Sequence, residues 1–361
     1  MRRLALGILV AATGCTATPV ASDPAASASM PPESVSPSVS DPATTPPTAT
    51  PGPSAEATLA WSPLDAPGPA AREDHTWTAD TTAGIAYLFG GRDGATVLGD
   101  LWAFDLAADT WTELAPGSPP PARFGHEAAW VEDIGLVIFA GQAGPTFFND
   151  VWAYDPDANA WRQLPSSGDV PVQRYGTCSA IGSDGRLWIS HGFTSDGVRF
   201  SDTRAYDFAS GAWTDETPAG ARPVERCLHA CWLTDTGELA LFGGQTTGTA
   251  ALGDRWVLAG DAWREAEGTQ PPPRNLPAHA RLAGETLIFG GQGLDAGFHG
   301  DLWLLRDDEE GAIALEPAGD APPPRSGAAL VSDPDRARVL LFGGRNADGA
   351  LADAWELAGL P

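Results

Sequence analysis

The chain has 361 residues with 47 acidic side chains against 21 basic ones, a net charge of −26, and every basic residue is an arginine. Such a surface repels a polyphosphate, which excludes nucleic acid as a partner, and without a lysine amine no Schiff-base chemistry is open to it. The acidity reads as a solvated, self-repelling surface that keeps the protein dispersed.

Residues 1–15, MRRLALGILVAATGC, place two arginines before a short apolar stretch and small residues before Cys15. That order predicts an export signal of the bacterial lipoprotein type, with Cys15 lipidated as the mature N-terminus; the alternative is a plain signal peptide with an incidental cysteine. The apolar stretch is too short for a membrane span, so the expected membrane link is the lipid alone. Residues 16–56 are nearly all Ala, Ser, Thr and Pro, with little to bury, and are expected to form a disordered tether. The remainder, 57–361, reads as one domain.

That domain is built on a repeat. The stretch YLFGGRDGATVLGDLWAFDLAADTW, Tyr87 to Trp111, has a glycine pair, Gly90-Gly91, that returns as Gly243-Gly244, Gly290-Gly291 and Gly343-Gly344, with Ala140-Gly141 and His191-Gly192 as degenerate copies. Upstream of each pair stands an arginine: Arg72, Arg123, Arg174, Arg226, Arg274 or Arg325. Downstream stands an aspartate: Asp100, Asp150, Asp202, Asp254, Asp301 or Asp353. The period of about fifty residues is that of a propeller blade, and each unit divides into four short apolar runs separated by turn residues. The glycines are expected to supply positive φ and close backbone approach. Trp102, Trp152, Trp256, Trp303 and Trp355 suit the space between adjacent sheets.

Arg, apolar strand, Gly-Gly, Tyr-Asp or Phe-Asp, then Trp: this pattern resembles the kelch repeat over about 57–361 and implies an all-β, six-bladed propeller. A fourth-strand tryptophan recurs as Trp111, Trp161, Trp213 and Trp263, with Ile313 in the fifth copy, whereas the sixth stops at WELAGLP. An orphan copy, TLAWSPL with Trp61, precedes Arg72. It is expected to complete the sixth blade and close the ring, leaving no open sheet edge.

Signals for chemistry are sparse. His75, His126 and His229 each follow a repeat arginine by three residues, a blade position that reads as structural. No metal-ligand spacing, nucleophile elbow or phosphate loop appears, so neither a metal nor a cofactor is expected. Asp155 and Asp157 read as turn residues. Of the kelch enzymes, galactose oxidase needs free tyrosines, and here Tyr87, Tyr154 and Tyr206 sit in strands, leaving Tyr175. An enzyme of the six-bladed sialic acid mutarotase type is the remaining catalytic alternative. Export would permit Cys178 to pair with Cys227 or Cys231, and free thiols stand beside those two options.

Because strands alternate in direction, the repeat arginines and aspartates fall on one face of the disc, where ion pairing between them is the simplest expectation. On that face the residues after the glycine pairs, Arg92, Gln142, Phe193, Gln245, Gln292 and Arg345, are expected to ring the channel mouth as the ligand-binding set. Ring closure brings Arg92 and Arg345 together as a site for an anion. The reading is an exported monomer, anchored by lipid, that binds an extracellular protein or glycan and is not an enzyme.

Overall fold

The computed structural model describes residues 58–307 and 311–360. They belong to a compact unit spanning 55–361. The expected export signal, Cys15 and the tether lie outside the described residues.

Six sheets, each with four antiparallel strands, stand as blades about a channel, and two of them add a short parallel strand at the outer edge, Ser167–Gly168 on blade 3 and Ala318–Gly319 on blade 6. Their innermost strands are Thr76–Asp80, Glu127–Val131, Cys178–Ile181, Ala230–Leu233, Ala278–Leu282 and Ala329–Asp333. In blade 1 this strand pairs antiparallel with Ile85–Phe89, which pairs with Leu101–Asp105 and then Thr110–Leu114. Blades 2 to 5 repeat the order. Blade 6 takes its outer strand from the other end of the chain: Ala60–Leu64 lies antiparallel on Ala354–Ala358, with Ala60 opposite Ala358 and Leu64 opposite Ala354. The fold is thus a six-bladed propeller closed as the orphan Trp61 strand implied.

A separate apolar cluster fills each of the six junctions between neighbouring blades, so the ring has no common core. Trp61 is 3% exposed and packs on Phe289 of blade 5, so the closing strand carries its own plug for the junction. Fourth-strand tryptophans Trp161, Trp213 and Trp263 are buried likewise. The third-strand tryptophans expected to fill these spaces sit shallower, because each indole N–H is tied to a polar partner: Trp102 to Asp100, Trp152 to Asp150, Trp256 to Asp254, Trp303 to Asp301 and Trp355 to Asp353, at 2.6–2.7 Å.

The glycine pair is explained by two demands at adjacent positions. The first residue has φ of 61–71° in every blade, a left-handed well that also admits Ala140 and His191; the second has φ of 89–111° and is always glycine. That second N–H donates to the carbonyl of the next blade's repeat arginine, from Gly91 to Arg123 and on around to Gly344 and Arg72. A β-carbon on Gly244 would stand 2.7 Å from the Cys227 carbonyl oxygen, so the stitch leaves no room for a side chain.

Cys178 and Cys231 form a disulfide between the inner strands of blades 3 and 4, while Cys227 is a buried free thiol. Cys227 lies ahead of its strand, at the mouth, where its backbone pairs with Gln245.

Candidate functional site at the channel mouth

Each repeat arginine folds back under the mouth. Arg72 gives Nη1 and Nη2 to the two oxygens of Asp100 at 2.8 and 2.7 Å, Nη1 also to the Gly90 carbonyl, and Nε to the Ala70 carbonyl. The same fork recurs at Arg123–Asp150, Arg174–Asp202, Arg226–Asp254, Arg274–Asp301 and Arg325–Asp353, with pairs at 2.7 Å. All six arginines are fully buried. Burial alone would raise the aspartate pKa values, but the guanidinium and indole donors hold that of Asp100 and its equivalents below the ordinary range. These are the expected ion pairs, and they leave the repeat arginines unavailable to a ligand.

Two residues beyond each arginine the backbone turns into positive φ, at Asp74, Gly125, Gly176, Leu228, Leu276 and Gly327. Their peptide groups form a closed circuit in which Asp74 N–H donates to Gly327, Gly327 to Leu276, Leu276 to Leu228, Leu228 to Gly176, Gly176 to Gly125, and Gly125 to Asp74, at 2.8–3.0 Å. The backbone hoop joins all six blades beneath the mouth. Nothing in the side-chain pattern announces it, since its members are Gly, Leu and Asp.

The ligand set named from the sequence surrounds this hoop. Arg92, Gln142, Phe193, Gln245, Gln292 and Arg345 pair through their backbones with Glu73, Phe124, Tyr175, Cys227, Asn275 and Ser326, one pair per blade. Gln142 and Gln292 turn back onto their own loops, donating to Gly144 and Ala296. Arg92 and Arg345 do meet, but across carboxylates: Arg92 reaches Asp74 at 3.0 Å and Glu73 at 3.4 Å, and Arg345 reaches Glu73 at 3.5 Å. The expectation of an unpaired cationic site for an anion is therefore corrected, because two buried acids already occupy both guanidinium groups. Burial, then the neighbouring Asp74, pushes the Glu73 pKa up to about 7.

What the mouth offers instead is apolar surface. Arg92 lies over Phe124, Arg199 over Phe193 and Arg345 over Phe298, with guanidinium-to-ring distances of 4.4, 5.4 and 5.9 Å. Phe147 packs edge-on against Phe193. Among the described residues, the exposed large apolar side chains are Val170, Val172, Val198, Val224, Leu294 and Ile313, and all but Ile313 belong to loops on this face.

Below the hoop runs a channel of about 230 Å³. Glu127 projects from its wall and accepts a 3.2 Å hydrogen bond from Ser179, while Thr76 shares a 2.9 Å bond with His126 Nε2. Burial holds the His75 pKa down at about 3 and depresses those of His126 and His229. Their rings pack between blades, His75 against Phe342 and His126 against Phe89. Sequence reasoning passed over Glu127, Glu73 and Asp74; the signal was there in that each follows a repeat arginine at a position that is uncharged in most copies. Among the described residues no group of three or more potential ligands is placed to hold a metal ion.

Comparison with known proteins gives a match to the family described as KLHDC2/KLHL20/DRC7 Kelch-repeats domain, over residues 55–244 and 213–358. The human protein "Multiple epidermal growth factor-like domains protein 8" is 31% identical over 183 residues, which is 48% of this chain and 6% of that protein. The mouse protein of the same name is 40% identical over 89 residues, covering 23% of this chain and 3% of its own length. The chain thus spans only a small part of these relatives.

Proposed function

The chain belongs to the kelch-repeat family, and on that footing we propose that it is an exported propeller that binds a protein partner across the mouth face. One observation carries the reading: the exposed valines and leucine belong to loops of the same face as the half-buried phenylalanines and arginines. Apolar side chains left in water together, with aromatic and arginine neighbours, have the composition of an interface centre. The Cys178–Cys231 disulfide suits an oxidising compartment, and with the lipoprotein-type segment at 1–15 it supports an extracytoplasmic monomer anchored through Cys15.

The catalytic alternative has its groups without their coupling. Glu127 and His126 share one channel, yet among the described contacts each bonds a hydroxyl rather than the other.

A random peptide library displayed against the purified protein tests the binding face. Enriched peptides are expected to lose binding by tenfold or more to Val198→Asp and Val224→Asp, with melting unchanged; equal binding to the folded variants overturns the proposal. Glycan arrays in parallel check the carbohydrate alternative. Separately, Cys15→Ala is expected to move the protein from the membrane to the soluble fraction.

A further inference from the structure

The channel walls differ in chemistry. Blades 1 to 3 contribute Thr76, Thr78, Glu127 and Ser179 beside Trp77 and Ala128, and blades 4 to 6 contribute Leu276, Ala278, Ala329 and Leu330 beside His229 and His279. In a ring of six, blade 2 stands opposite blade 5, so the Glu127 carboxyl faces a largely apolar wall across the void. Its described hydrogen bonds come from the hydroxyl and the backbone N–H of Ser179, both neutral donors.

Among the described residues no cationic side chain lines the channel to answer it. The other titratable groups lining the channel are Asp74 and His75 from blade 1, His126 from blade 2, His229 from blade 4 and His279 from blade 5; blades 3 and 6 add none. Asp74 is taken by Arg92 and Tyr175. Burial lowers the pKa values of all four histidines, so they are neutral at pH 7. A half-buried carboxyl on the channel wall with no counter-charge is an arrangement that a ligand completes.

We propose that the channel binds a small organic cation, a primary ammonium carrying an apolar flank, with Glu127 as its counter-ion. The ammonium donates to Glu127, and the flank lies on the Leu276, Ala278 and Leu330 side. The volume of about 230 Å³ exceeds the roughly 150 Å³ that accommodates benzene in a protein interior, so a group the size of benzylammonium fits. Burial pushes the pKa of unliganded Glu127 up to about 8. At neutral pH the acid is therefore mostly protonated, and binding exchanges one proton, released to solvent, for one ammonium.

The test is calorimetric titration of the full chain with benzylammonium chloride, using benzyl alcohol as the neutral isostere. Between pH 6 and 7 affinity is expected to rise about tenfold, with about one proton released per cation bound, as linkage to a single acid requires. The alcohol is expected to bind at least tenfold more weakly, and Glu127→Gln to lose cation binding while keeping the wild-type circular dichroism spectrum. The comparison between alcohol and ammonium needs no variant, so it holds even should Glu127→Gln not fold. Absence of binding at millimolar benzylammonium, equal affinity for the alcohol, or undiminished binding by folded Glu127→Gln overturns the proposal.

Discussion

Asp150 spends both oxygens on Arg123 and one of them again on Trp152. Removing such a carboxylate leaves a fully buried guanidinium without its counter-charge, a change that costs about 3–5 kcal/mol. Asp150→Asn is expected to destabilise by that amount in urea unfolding, and a loss under about 1 kcal/mol would contradict the assignment. The histidines act in another pH range. His229 is held neutral, its pKa depressed from the usual 6.5 first by burial and then by His191 and Arg226. A group whose folded pKa is lowered contributes stability fully above its unfolded pKa and loses it as pH falls below. Stability should therefore decline below about pH 6.5, and His229→Gln should flatten that decline by about 1.4 kcal/mol per pH unit, one proton's worth, in melts from pH 6.5 to 4.5.

At the level of strand and turn, the glycine pairs separate two constraints that look identical in sequence. Gly243→Ala, with φ of 71° and its equivalent already alanine at Ala140, is expected to cost about 1 kcal/mol. Gly244→Ala, with φ of 97° at a position that is glycine in every blade, is expected to cost several times more. Equal melting temperatures for the two variants would refute the distinction. Here the blade plan was legible because period, turn glycines and paired charges are local features that recur; even the closing strand could be read from a tryptophan out of place. The site was not. The hoop is made of peptide groups, and Glu73 reaches Arg345 of blade 6 only through ring closure. Likewise, pairing of Cys178 with Cys231 rather than Cys227 depends on where blade 4's inner strand begins, a boundary that spacing alone leaves open.

For the whole molecule, stability is distributed over six junctions, and the one between blades 5 and 6 depends on a strand supplied from far away in sequence. Deleting residues 57–66 removes Trp61 from its cluster and exposes the Ala354–Ala358 edge. Aggregation or a large drop in melting temperature is expected, and a cooperative melt at the parent temperature would refute it. Trimming 16–50 should leave melting unchanged.

The seam in blade 6 sets where the chain can begin and end. Ala60 and Ala358 are partners across one pair of strands, and Gly359 lies against the Thr58 carbonyl, so the two ends of the described ring are already neighbours. A non-covalent seam there does the task that a covalent turn does in every other blade, and no blade is privileged as the first. A circular permutant in which a short glycine-rich linker joins residue 360 to residue 58, with new termini cut into the exposed turn at residues 157–159 of blade 2, should therefore assemble the same disc with the seam moved two blades along.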